Sequence, residues 1–291
     1  MFGDKGKSVG VIGLGIIGSR VAQNLRDAKY HVYVWNRTPQ AEPNFVASVA
    51  EMASLTETIQ IFVKDGPAVL EVLDAMLPKL TPKHLVLVHA TIDPEEMIKA
   101  SRLLEKTGAG LVDAPFTGSR EAAAAGELSY YVAGDPKDIQ RAKSLLGVSG
   151  RSTTFLGRLG NASIAKVATN MISAATVQAL SEALAVLRSA GLRGDRLVDA
   201  LAVNACQSGL TQLKLPSILE GQYDPHFSVA NMLKDAEIAL TMAERQGIDC
   251  PTLTSAADAM RLAEADGKGD LDYSVLAAAY PGPSNDHDVD L

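Results

Sequence analysis

Lys166 and Asn170 stand four residues apart inside the most apolar stretch of the chain, residues 157–192. On a helix that spacing places both on one face, one turn apart. An amine held there can donate a proton to an oxygen that is gaining negative charge, or hold an anion in place. A lysine in the first turns of an apolar helix can also simply snorkel to solvent. The stretch upstream separates these readings. Gly13-Leu14-Gly15-Ile16-Ile17-Gly18 directly follows the apolar, β-branched run Ser8–Ile12 and opens a helical pattern, before a second apolar run at His31–Trp35. Such a glycine triplet is weak alone; between a strand and a helix of one βαβ unit it is a phosphate cradle.

Each glycine has its own physical reason. Gly13 permits the tight turn, Gly15 lets the backbone approach a pyrophosphate, and Gly18 lets the helix pack close to the strand. The anion is held by amide N–H groups of the turn, Leu14, Ile16 and Ile17 included, at the positive end of the helix. The second apolar run ends in Trp35-Asn36-Arg37-Thr38. An NAD-preferring site carries Asp or Glu at this point, for the ribose 2′-hydroxyl. Here no carboxylate repels a 2′-phosphate. Arg37 can pair with that phosphate bidentately, and Asn36 and Thr38 can add hydrogen bonds. The reading is NADP(H).

Those residues need a scaffold, and 291 residues suffice for two modest domains. Apolar runs at 59–63, 85–89, 111–112, 128–132 and 153–156 read as strands, alternating with helical patterns at 48–57, 67–76 and 93–106. Asp93 caps the last of these, with Pro94 at its first position. Alternation of this kind predicts an α/β fold with a doubly wound, mostly parallel sheet. Residues 39–44 leave no room for the usual helix after the second strand, and 45–46 read as a brief strand. Beyond residue 160 strand signals nearly vanish, and 195–203, 231–246, 251–265 and 271–279 read as helices. The boundary is therefore placed near Gly160, with 1–160 binding the dinucleotide and 161–291 all-helical. One long helix runs from near Asn161 to Gly191, a common C-terminal signal, over roughly 45 Å. Its apolar residues surround most of its circumference, so it is expected to be buried on several sides. The polar, acidic tail from Pro281 is expected to pack weakly if at all.

Composition sets further bounds. A net charge of −7 argues against nucleic acid as a partner, so a bound anion must be held by local cations. Two cysteines and five scattered histidines give neither a disulfide framework nor a metal-ligand spacing. Residues 1–20 superficially resemble a signal peptide, but the glycine-rich run reads better as strand and cradle. No segment is expected to approach the ~20 apolar residues of a membrane span. The expected setting is cytoplasmic. Cys206, His226 and Trp35 are assigned to packing, and one of Tyr130 and Tyr131 to the core.

Four motifs in order resemble the β-hydroxyacid dehydrogenases, the family of 3-hydroxyisobutyrate dehydrogenase and of the glyoxylate and succinic semialdehyde reductases. They are the glycine turn; Asp113-Ala114-Pro115-Phe116-Thr117-Gly118-Ser119 with Ala125-Gly126-Glu127-Leu128 behind it; Gly160-Asn161-Ala162-Ser163-Ile164-Ala165-Lys166-Val167-Ala168-Thr169-Asn170; and Phe227-Ser228-Val229-Ala230-Asn231-Met232-Leu233-Lys234-Asp235. The resemblance covers nearly the whole chain. It implies a Rossmann domain followed by a helical domain, joined by the long helix, with substrate in the cleft between them. Lys166 would then be the catalytic acid/base, with Asn170 beside it. Thr117, Gly118 and Ser119 would anchor a substrate carboxylate, with Thr91 near both nicotinamide and substrate. Phe227 and Lys234 would line the cleft, supported by Asp235. Val63, Lys64, Asp65, Thr91 and Lys234 join the cofactor contacts. A homodimer through the helical domain, or a tetramer, would follow.

Three departures stand out. Thr117 occupies a position that is often Ser, Ala90 stands where Ser is common, and the deleted helix after the second strand is expected to loosen the adenosine pocket. The expected activity is NADPH-dependent reduction of a short carboxylated aldehyde or ketone, or the reverse oxidation of a β-hydroxyacid. Alternatives are an imine reductase, against which Lys166 argues, and a non-catalytic NADP-binding protein.

Overall fold

The apolar runs become the strands of one sheet in the computed structural model, which describes residues 8–280. The strands are β1 (Ser8–Ile12), β2 (His31–Trp35), β3 (Thr58–Ile61), β4 (Leu85–Val88), β5 (Gly110–Asp113), β6 (Phe116–Thr117), β7 (Leu128–Gly134) and β8 (Gly150–Phe155). Their order is β2-β1-β3-β4-β5-β7-β6, with β8 beside β7. Strands β1 to β5 pair in parallel, while β7 runs antiparallel to β5 and β6. Helices cover both faces, as a buried parallel sheet requires. On one face α2 (Val49–Leu55), α3 (Gly66–Met76) and α4 (Pro94–Leu104) bury Met52, Leu73 and Met97 against Ile12, Ile59 and Ile61. On the other, α1 (Gly18–Asp27), α5 (Arg120–Ala124) and α6 (Pro136–Ser149) bury Val21, Leu25 and Leu145 against Val9, Val11 and Val34. Each large side chain so buried contributes about 1.5–3 kcal/mol. The α/β, doubly wound expectation holds. Strand β6 and helices α5 and α6 extend it, although Asp135 and Pro136 start α6 with the same cap-and-proline signature as Asp93 and Pro94.

No helix lies between β2 and α2, yet the short connection is not loose. The Phe45 backbone bridges to Val34, Asn44 Nδ2 donates to the Val32 carbonyl at 3.1 Å, and Arg26 pairs with Glu42 at 2.9 Å. Ser48 caps α2 as its spacing implies, accepting from the Glu51 N–H.

The described residues divide into two units, one ending at Lys166 and the other starting at Val167. The division falls inside α7 (Asn161–Ser189). After α7 the second unit holds α8 (Asp195–Ala202), α9 (Gly209–Glu220), α10 (Val229–Arg245) and α11 (Pro251–Ala263), then a 3-10 helix over Tyr273–Ala279. Val167, Ala174 and Val177 of α7 pack there with Met232, Leu253, Met260 and Leu276. Three expectations are corrected. Helix α9 was not foreseen, because Pro216 sits inside it and proline argues against a helix interior. Cys206, assigned to packing, is exposed. And α7 is long and apolar enough, by length and composition, to cross a membrane, although Val167, Ala174 and Val177 of it are buried in the core of the second unit. Nor is α7 covered all round. Ile164, Ile172 and Val186, at 42, 68 and 69% exposure, mark one uncovered stripe. The tail from Pro281 lies outside the described residues.

Candidate active site

The glycine turn opens between β1 and α1, at the carboxyl end of the sheet. Gly13 has φ of +93°, and a Cβ on it would lie 2.2 Å from the Phe62 carbonyl oxygen. A Cβ on Gly18 would lie 1.9 Å from the Gly13 oxygen. Both positions are therefore closed to any side chain by the protein itself. Gly15 differs: it is exposed, and nothing lies within 4 Å of the Cβ it lacks. No neighbouring residue therefore demands a glycine at that position. Ser19 Oγ and Arg20 Nη1 donate to the Gly15 and Ile16 carbonyls, at 2.8 and 2.5 Å. The Gly13 N–H donates to the Trp35 carbonyl at 2.9 Å, so it and the Leu14 N–H, which Asn36 takes, are not among the groups open to an anion.

Asn36 is a brace. Its Oδ1 accepts from the Leu14 N–H at 3.0 Å and its Nδ2 donates to the Thr38 carbonyl at 2.8 Å, tying the glycine turn to the end of β2. Arg37 and Thr38 beside it are exposed. Two other residues expected at ligands have their side chains engaged in caps. Asp65 accepts from the Ala68 N–H to start α3, and Ser119 accepts from the Glu121 and Ala122 N–H groups to start α5. Lys64, Thr117 and Gly118 are exposed, and Val63 and Thr91 half-buried. Gly118, at φ +139°, holds a conformation that disfavours a side chain.

Two buried polar residues join the loops that carry these groups: His89, outside the four motifs, and Asp113, which opens the second of them without an assigned role. His89 follows β4 and stacks on Phe62, with ring centroids 4.3 Å apart. Its Nδ1 donates to the Ala114 carbonyl at 2.7 Å, so Nε2 is left to accept. Gln60 Oε1 lies 2.9 Å from Nε2, and turning the side-chain amide over brings its otherwise unpartnered N–H₂ there to donate to Nε2. Complete burial pushes the imidazole down to about 4, so it stays neutral. Asp113 ends β5. Its Oδ2 accepts from the Ser163 N–H and its Oδ1 from the Ser163 hydroxyl, both at 2.9 Å. Burial pushes its carboxyl up to about 6, against the pull of the Ser163, Gly160 and Ala162 donors. An acid closing an apolar strand was the available signal. Tyr130, also buried, donates to or accepts from Ser149 Oγ at 2.8 Å and is the core member of its pair.

Lys166 is half-buried on α7, one turn before Asn170. In the second unit Asn170 Nδ2 donates to Asp235 Oδ2 at 2.5 Å, and Lys234 Nζ lies 2.7 Å from Asp235 Oδ1. The almost wholly buried Asp235 thus joins two residues from separate motifs, Asn170 and Lys234. Phe227 stands apart from this group, its ring edge-on to Tyr273 and its N–H donated to Asp272 Oδ2 at 3.1 Å.

The comparisons agree with this architecture. Residues 8–157 match the NAD binding domain of 6-phosphogluconate dehydrogenase, and residues 160–280 match the NAD-binding domain of NADP-dependent 3-hydroxyisobutyrate dehydrogenase. Glyoxylate/succinic semialdehyde reductase 1 of Arabidopsis thaliana is 30% identical over 283 residues, covering 93% of this chain and 97% of that protein. The 2-hydroxy-3-oxopropionate reductase of Escherichia coli is 29% identical over 280 residues, covering 93% and 96%. Among solved structures, Mycobacterium tuberculosis 3-hydroxyisobutyrate dehydrogenase with L-serine aligns at a TM-score of 0.87 and 25% identity, over 94% of this chain and 98% of that one. The chain belongs to the β-hydroxyacid dehydrogenase family, and is an NAD(P)-dependent oxidoreductase of that family.

Proposed function

We propose that this protein uses NADPH to reduce a short aldehyde or ketone that carries a carboxylate, or oxidises the matching β-hydroxyacid, with Lys166 as the general acid/base. The observation that carries the reading is the pairing, in one unit, of a glycine turn open above Gly15 with a half-buried lysine on α7. When bound, the nicotinamide supplies the hydride. The protein's own part is to bind, orient and move a proton. N–H groups of residues 15–17 hold the pyrophosphate. Thr117 and Gly118, exposed after β5, bind the carboxylate, and Thr91 orients the carbonyl. The Lys166 amine gives its proton to the oxygen as charge develops there, and takes one from the hydroxyl in the reverse direction. Asn170, its amide fixed by Asp235, keeps a polar partner one turn from the amine. Glyoxylate, succinic semialdehyde and 2-hydroxy-3-oxopropionate, named for the relatives, all pair a carbonyl with a carboxylate. The deciding experiment is an NADPH-oxidation screen across these acids, cyclic imines and uncharged aldehydes. Turnover confined to imines would overturn the reading in favour of an imine reductase, and no turnover at all would favour a non-catalytic binder.

NADP(H) is the preferred cofactor on this reading, because Arg37 stands exposed beside Asn36 where a ribose-binding carboxylate would be. Loss of a charge-assisted pair to the 2′-phosphate costs about 1.5–3 kcal/mol. Arg37→Ala is therefore expected to lower kcat/KM with NADPH by roughly one to two orders of magnitude while leaving NADH nearly unaffected. Equal efficiency of the two cofactors in the parent protein would refute the preference.

The uncovered stripe of α7, with Ala168, Ala179 and Ala183 between Ile164, Ile172 and Val186, supports a homodimer formed along that helix. Light scattering at micromolar concentration is expected to give twice the chain mass, and Ile172→Glu to shift it toward the monomer. A monomeric parent protein would rule the dimer out. We place the protein in the cytoplasm.

A further inference from the structure

We propose that Asp113 is the positioning residue for Lys166: it caps α7 from the end of β5 and thereby fixes where the amine stands. The inference rests on the reading of Lys166 as the acid. The residue before α7 is Gly160, with φ of +90° and no side chain, so α7 starts without the usual N-cap oxygen. Its first N–H groups still need acceptors. Asp113 supplies them from 50 residues away. Both its oxygens are occupied by Ser163, the third residue of the helix, and the Gly160 and Ala162 N–H groups also face the carboxylate. The negative charge sits at the positive end of a 29-residue helix, where it is favoured.

The anchor is rigid. Asp113 is fully buried, and its backbone lies within the sheet between Val88 of β4 and Ala133 of β7. Lys166 follows Ser163 by three residues, within one turn, so the height and rotation of the amine are set by this bond. The neighbouring loop is fastened at the same place, because His89 bonds the carbonyl of Ala114, the next residue. Thr91, Thr117 and Lys166 therefore ride on three segments tied together at residues 89, 113, 114 and 163. A local cap would hold the helix as well; only one reaching from the sheet also fixes the helix to the strand ends.

The test uses the full chain and four variants: Asp113→Asn, Ser163→Ala, Lys166→Ala and the Asp113→Asn/Lys166→Ala double. Asn keeps the shape but removes the charge and turns an N–H₂ toward helix N–H groups. Asp113→Asn is expected to lower kcat by about 10²-fold, the cost of a misplacement near 1 Å. NADPH affinity, read by fluorescence titration, is expected to stay unchanged, and the double variant to be no slower than Lys166→Ala alone. Ser163→Ala, the milder probe should Asp113→Asn not fold, is expected to show the same pattern at smaller amplitude. Parent-like kcat in the folded variants, or losses that multiply in the double, would overturn the inference while leaving Lys166 its role. A normal kcat in Lys166→Ala would instead remove the reading beneath it. The position of Lys166 is then read directly, from the 13C resonance of the reductively methylated lysine, identified by its loss in Lys166→Ala. A shift in Asp113→Asn or Ser163→Ala supports the anchor, and an unmoved signal in both ends it.

Discussion

Lys166→Ala is expected to lower kcat by about 10²–10⁴-fold, the usual weight of a positioned proton donor. NADPH affinity is expected to change little, since on the proposed reading main-chain N–H groups of the glycine turn, and not Lys166, hold the pyrophosphate. Lys166→Arg separates the roles a cation can play. Guanidinium keeps the charge, but with a pKa above about 12 it releases a proton poorly. If the amine protonates the nascent alkoxide, Arg is nearly as slow as Ala. If Arg recovers most of the activity, the lysine acts as an electrostatic anchor and another donor supplies the proton. If Ala leaves kcat intact and only raises KM, the lysine binds ground and transition states alike. Single-turnover measurement with saturating NADPH distinguishes the three.

Much of this site was legible because its signals are local. Gly13 and Gly18 need their glycines for contacts made within a few residues of the turn or with the adjacent strand, and the strand-turn-helix context shows along the chain. Lys166 and Asn170 share a face of α7 by spacing alone. The illegible part is what these local pieces bond to. Nothing in the sequence pairs Asp113 with Ser163, 50 residues on, or Asn170 with Asp235, 65 residues on. Short polar side chains misled in the opposite way. Asp65 and Ser119 have the donors and acceptors a ligand site needs, but the starts of α3 and α5 take them first. A helix N-terminus competes for the same oxygens as a ligand, and sequence does not show which wins. The uncovered stripe of α7 was legible as an excess, because the all-round apolar character of residues 164–187 is more than one small lobe and one sheet can cover. Which residues stay uncovered depends on contacts that the apolar pattern does not record.

The second large effect is expected in stability, at a pair that no motif or spacing singles out. Lys214 lies on α9, the helix obscured by Pro216, and its Nζ is 2.8 Å from both oxygens of Asp272. Both side chains are only 4% exposed. Asp272 also accepts the N–H groups of His226, Phe227 and Ser274, and the ammonium sits 4.5 Å from the centre of the Tyr273 ring. One carboxylate thus fastens α9, the turn before α10 and the 3-10 helix after it. Burial alone would raise the carboxyl's pKa, but Lys214 and the N–H donors outweigh burial and hold it below the ordinary range. A depressed folded-state pKa means stability that is present at neutral pH and lost as pH falls through that lower value. Removing one partner leaves the other buried and uncompensated, which costs about 3–5 kcal/mol. Lys214→Met is therefore expected to destabilise the helical unit by about that amount in urea unfolding followed by helical circular dichroism. Replacing both partners removes the stranded charge. In Lys214→Met/Asp272→Asn the amide oxygen can still accept from the main chain, so much of the loss is expected to return. Single and double variants of equal stability would assign the cost to lost packing around the lysine stem. A loss below about 1 kcal/mol in Lys214→Met would put the pair in the class of solvated surface bridges, against its burial.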